Sequence, residues 1–171
     1  MSNLILAFIT GILTKLVDNA EDEGSKINET LKIIFAATYG IMIAYLITVI
    51  PLPSFWFGII IGLILSGKID SQSHYIGIST LLATLALLGF PEMNASIVVI
   101  VALICHLEEW INTEIVDKNK VKGFLKKLLK IRPILEITAI ILSVIYSNFT
   151  IFLLLFSFDL GYLLVEPIIL K

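Results

Sequence analysis

Apolar residues run along this chain in long blocks broken by short polar stretches. Seven blocks can be marked, roughly 3–19, 31–50, 53–69, 75–90, 94–111, 133–147 and 149–170. Runs of this length predict helices that cross a bilayer, since a span takes roughly 20 mostly apolar residues. Several blocks fall short of that, which leaves room for thin, tilted or re-entrant placement. The links Pro51-Leu52-Pro53-Ser54, Pro91-Glu92-Met93-Asn94 and Ser147-Asn148 carry turn chemistry and no Lys or Arg. Lys15, Lys26, Lys32, Lys68, the run 118–132 and Lys171 all fall at the opposite ends of the blocks. With seven spans these cations share one face, which the positive-inside rule makes cytoplasmic. The N-terminus is then outside and the C-terminus inside.

Lys118–Arg132 differs in kind. Phe124, Leu128 and Ile131 share one helical face, with Lys122, Lys126 and Lys130 away from it. This predicts a basic helix lying at an anionic membrane surface. Small residues recur every fourth position at Ala36, Gly40 and Ala44, at Gly58, Gly62 and Ser66, and at Ser157 and Gly161. Such rows let membrane helices approach closely. Ser54-Phe55-Trp56-Phe57 and Trp110 suit the aromatic belts at the two interfaces. Lys15-Leu16-Val17-Asp18 and Lys68-Ile69-Asp70 each place Lys shortly before Asp at a helix end, a weak internal echo.

Composition sharpens this picture. The chain has 171 residues, 58% hydrophobic and only 15% charged, with a mean hydropathy of +1.00. An ordinary soluble domain is about one quarter charged. The predicted fold class is therefore all-α. It is a polytopic helical membrane protein of about seven transmembrane helices, with short loops and one basic interfacial helix, in a single domain over 1–171. The net charge of -2 says nothing about nucleic acid, because the basic residues are a placement and not an excess, and no nucleic-acid partner is expected. Cys105 is the single cysteine, so no internal disulfide forms. The first block lacks a basic leader and a cleavage site and reads as a retained helix.

Chemistry concentrates at the inner ends. Asp159 and Glu166 share a stripe with Tyr162 in the last block, and Asp159 lies about 15 Å along it at 1.5 Å per residue. A carboxylate at such depth costs about 2.5–3.5 kcal/mol to insert, so it should face protein or water. Lys15, Asp18 and Asp22 share a stripe at the end of the first block. Lys68 and Asp70 end the third, and His106 and Glu109 share a face at the end of the fifth. Arg132 and Glu136 stand one turn apart as the sixth begins. Glu21, Glu23 and Glu29 read as solvated acids, and Ser73 as a helix cap.

These positions predict one polar cavity open to the cytoplasm. His106, Glu109 and Asp159 are the candidates for acid–base catalysis. Lys15, Lys68, Arg132 and Tyr162 are the candidates for substrate binding. Asp18, Asp22 and Asp70 are the candidates to hold Mg2+, which takes one or two carboxylates plus substrate phosphates. The functions compatible with this set are a Mg2+-dependent enzyme acting on a lipid-linked phosphate, a cation or small-metabolite transporter or channel, and a non-catalytic membrane scaffold. The partners expected are membrane lipids, including an anionic headgroup or lipid phosphate at the inner face, and further copies in a homo-oligomer. The location expected is the cell membrane.

Overall fold

The computed structural model describes residues 2–22, 27–118, 120–130 and 132–169, with the backbone alone for 22, 117, 126–128, 130 and 166–169. The elements are α1 (Ser2–Asp22), α2 (Glu29–Val49), α3 (Pro53–Leu65), α4 (Gln72–Leu88) and α5 (Ala95–Ile111), which runs into a π-helix (Asn112–Asp117). Then come α6 (Gly123–Lys130), α7 (Pro133–Ile145) and α8 (Thr150–Ile169). There is no strand among the described residues. Each apolar block holds one helix, and α6 lies in the basic stretch.

The helix ends follow the turn chemistry. The Asn28 side chain accepts from the Thr30 N–H at 3.0 Å, and that of Asn94 accepts from Ser96 and Ile97 at 3.0 and 3.3 Å. Asn148 does the same for Thr150 at 3.1 Å. Pro53 and Pro133 open α3 and α7, where a missing N–H costs nothing. The cap of α4 is Ser71, which accepts from His74 N–H at 3.3 Å, and not Ser73 as the pattern suggested.

Three helices are long and apolar enough to cross a membrane: Ser2–Glu21, Glu29–Val49 and Ala95–Val116. They fit a helical membrane protein. α3 and α7 have 13 residues each, about 20 Å against a hydrocarbon core of about 30 Å. Helix length thus supports three full spans and does not single out seven. Leu87 is 87% exposed and Ile145 66%, and these are two of many large apolar side chains left uncovered. A surface this apolar suits acyl chains rather than water.

The chain divides into two compact units: Met1–Ile50, Asp70–Pro91 and Leu153–Lys171 form the first, and Pro51–Ile69 and Glu92–Phe152 the second. In the first, Val17, Ala36 and Tyr39 form a buried core with Leu13, Phe35, Ile43 and Ile76 against it. Ala36, Gly40 and Ala44 are all buried, so the predicted small-residue row is a packing surface. α1 and α8 meet backbone to backbone. A Cβ on Gly11 would lie 2.0 Å from the Phe158 carbonyl oxygen, and one on Gly161 2.0 Å from that of Phe8. Beside this crossing, the Ser157 hydroxyl donates to the Leu4 carbonyl at 2.7 Å.

In the second unit, α3 lays Gly58 against Val101 and Gly62 against Cys105 of α5. The Asn94 N–H donates to the Ser54 hydroxyl at 2.8 Å and ties the starts of the two helices. Phe55 and Trp56 are buried. They pack inside the unit and do not form the interface belt expected of them, while Trp110 is exposed as a belt residue would be.

The reciprocal α1–α8 crossing is testable. Gly11→Ala drives a methyl into an immovable carbonyl and is expected to cost about 1–3 kcal/mol. Ile5→Ala, at an exposed position, should leave stability unchanged. Thermal unfolding in detergent measures both; equal midpoints would mean that α1 and α8 do not pack as described.

Candidate functional site

Asp18 stands near the end of α1, with its side chain 21% exposed. Two side chains from other helices satisfy it. The His74 Nε2–H of α4 donates to Oδ1 at 3.0 Å. The Tyr162 hydroxyl of α8 donates to Oδ2. Lys15, one turn before Asp18, places its Nζ 4.8 Å from the Tyr162 ring centroid, a cation–π contact. The other imidazole nitrogen of His74, Nδ1, faces Asp70 at 3.7 Å.

A second layer surrounds this centre. The Ser73 hydroxyl donates to Glu21. Lys32, nearly buried on α2, lies 3.6 Å from Glu21 and 2.7 Å from Glu29. Glu21 is thus engaged and is not merely a solvated acid, whereas Glu29, 75% exposed, is solvated and pairs with Lys32 at the surface. The arrangement supplies an imidazole oriented by a carboxylate, with a phenol and an ammonium beside it. Those are the parts of a proton-transfer site.

The second unit holds another polar cluster. Glu108, 2% exposed, accepts from the backbone N–H groups of Ile134 and Leu135 at 2.7 and 3.1 Å. Its carboxylate therefore caps α7 from another helix, where the helix dipole favours negative charge. Neighbouring Glu109 turns to cations. Arg132 reaches its Oε1 at 2.8 Å and Lys68 its Oε2 at 3.8 Å. His106 Nδ1 lies 3.1 Å from the Ser66 hydroxyl.

The sequence candidates fall accordingly. Lys15, Asp18, Asp70 and Tyr162 are brought together around His74. Lys68, Glu109 and Arg132 meet in the second unit. Lys68 and Asp70, two positions apart, serve different units. Arg132 finds Glu109 on another helix. His106 goes to Ser66, so the described contacts do not join it to Glu109. Asp159 is half-buried on α8, one turn from Tyr162. The side chains of Asp22 and Glu166, and all of Glu23 and Lys26, lie outside the described residues. No group of three or more His, Cys, Asp or Glu among the described residues is placed to share a metal ion.

His74 was missed as a central residue. Its signal in sequence was the spacing Asp70-x-x-x-His74 on a helix start, which places carboxylate and imidazole one turn apart. Glu108 was missed as a cap because its partners are backbone groups 26 residues away.

No protein-family model matches the chain, and neither curated proteins nor solved structures gave a match.

His74 stands just before the apolar block 75–90. Its hydrogen bond to Asp18 holds the imidazole above its ordinary pKa of 6.5, against burial, which pulls it down. Asp70 adds to the upward shift, and Lys15 faces Asp18 from the other side. A raised pKa means that the pair's stabilisation is complete below pH 6.5 and is lost as pH rises through the shifted value. The thermal midpoint of the wild type should therefore fall above that pH, while His74→Gln should remove this slope. Parallel curves for the two proteins would exclude a His74–Asp18 ion pair.

Proposed function

We propose that the protein is a polytopic membrane enzyme acting on a lipid-linked phosphate at the cytoplasmic face, with the Asp18–His74 pair as its acid–base centre. The single observation that carries this reading is the convergence of His74 and Tyr162 on the two oxygens of Asp18, with Lys15 beside them. In this reading Asp18 orients His74 and favours its protonated form. His74 gives its proton to the leaving oxygen as the phosphate ester bond breaks; water or an alcohol takes the phosphoryl group, and the proton it releases returns to His74. Lys15 meets the phosphate charge. Because both oxygens of Asp18 are engaged, the geometry favours acid–base work over Mg2+ holding at this residue.

The topology belongs to the same proposal: seven passes, N-terminus outside, C-terminus and all basic helix ends inside. Helices short of a full span are accommodated by local thinning of the bilayer, by snorkelling of flanking residues or by oligomerisation. A second reading, proton-coupled transport, draws on Asp159, which lies one helical turn from Tyr162 on α8. It would use the same dyad as a relay.

General acid–base groups typically supply 10²–10⁴ in rate, so His74→Gln and Asp18→Asn should each lower turnover at least about 100-fold. The measurement is phosphate release or transfer from polyprenyl phosphates and phosphatidic acid in nanodiscs. Full turnover in both variants would rule the site out. Proton flux in proteoliposomes lost with Asp159→Asn would favour transport instead. Lowered thermal stability with neither effect would favour a scaffold. For topology, a cysteine placed at Asn94 in a Cys105→Ala background should be labelled from outside, and one at Ser71 from inside. The reverse pattern would invert the orientation.

A further inference from the structure

The hydrogen bonds around His74 decide which of its nitrogens can trade a proton. An ionised carboxylate only accepts, so the 3.0 Å contact between Nε2 and Asp18 Oδ1 requires the hydrogen on Nε2. Tyr162 holds the other oxygen of Asp18, so the carboxylate cannot turn away without losing two donors. The proton that His74 gains and loses is therefore the one on Nδ1.

Nδ1 is buried and makes no hydrogen bond. Asp70 faces it at 3.7 Å, with a side chain 75% exposed against 13% for His74. Asp70 thus stands with one side on the buried nitrogen and the other in water. It lies in the link before α4, outside any helix. The other titratable groups packed around the site are occupied elsewhere. Lys15 leans on the Tyr162 ring, Glu21 takes the Ser73 hydroxyl and Lys32, and the Tyr39 hydroxyl of α2 lies against Gly77.

We propose that Asp70 is the proton carrier of this site and moves protons between His74 Nδ1 and water. In the releasing direction the Nδ1–H bond breaks as the proton passes to an Asp70 oxygen. This leaves a neutral imidazole still protonated on Nε2. The Asp70 carboxyl then gives the proton to water, forming hydronium, and is a carboxylate again. Uptake runs the same steps backwards. A contact of 3.7 Å is too long for the transfer, and rotation of the exposed Asp70 side chain closes it. The proposal deepens the Asp18–His74 reading. In that reading Nδ1 is the atom that serves a leaving oxygen, and Asp70 is the route by which an idle His74 regains its proton.

The test is nitrogen NMR of the full-length protein in nanodiscs, isotopically labelled at histidine. The chain has 2 histidines, and His106→Gln identifies the His74 signals. As pH rises, Nδ1 should lose its proton while Nε2 keeps its own. Line shapes at each protein's own titration midpoint give the rate of proton exchange. Asp70→Asn should slow that exchange at least about tenfold, on the low side of what a positioned proton carrier supplies. Asp70→Glu should keep the wild-type rate. Formate, a small diffusible acid, should restore exchange to Asp70→Asn, which it could not do for a merely structural residue.

Neutral His74 carrying its proton on Nδ1, unchanged exchange in Asp70→Asn, or slowing that formate does not reverse would each overturn the proposal. No substrate enters the measurement, so its outcome is separate from turnover. Exchange through Asp70 in a protein without phosphate-transfer activity would sink the enzymatic reading and leave the carrier in place.

Discussion

An ionised carboxylate in an apolar chain has to find donors, and that requirement organises both units. Stripping a charge of water costs several kcal/mol or more unless hydrogen bonds and opposite charge replace it. Asp18 meets the demand by drawing on α4 and α8 at once, through His74 and Tyr162. Neither partner is near it in sequence. The carboxylate therefore acts as a tie between three helices, alongside the Ser157–Leu4 and Ser73–Glu21 hydrogen bonds and the close packing of their backbones. Removing it would leave an imidazole and a phenol to be satisfied elsewhere.

Glu108 and Glu109 show the same demand met in two ways by adjacent residues. Successive side chains on a helix point about 100° apart, so neighbours cannot share one environment. Glu108 faces the start of α7 and uses backbone amides that no helix can satisfy within itself. Glu109 faces Arg132 and Lys68. Arg132 stands at the residue before Pro133 with φ of 54°. The turn into α7 is thus held by one acid on its amides and another on its guanidinium.

Apolar packing supplies the remainder. In lipid the hydrophobic effect does not drive helices together, so close van der Waals contact and hydrogen bonds must. The glycine-to-carbonyl contacts between α1 and α8, and those of Gly58 and Gly62 with α5, are of this kind. They bring the polar side chains on the same helices within reach of each other. In the first unit the α1–α8 crossing at Gly11 and Gly161 lies two turns from Asp18 and next to Tyr162, so packing and polar contact reinforce one another.

Helix positions, most helix ends and the packing role of the small-residue rows were legible in the sequence. Hydrophobic run length, Asn and Pro turn chemistry and residue size act locally, and each leaves a local trace. The gathering of titratable groups near block ends was legible for the same reason, since charge is costly inside an apolar run. The partners were not. Asp18 looked only to Lys15, which does act on it, and Lys68 looked to Asp70 rather than to Glu109, because periodicity reveals only neighbours on one helix. Which helices lie side by side decides whether a carboxylate meets His74, a backbone amide or a guanidinium, and that choice belongs to tertiary packing. The chain by itself determined that its acids must be paired; only the fold decided with what, because the pairing groups lie up to 144 residues apart.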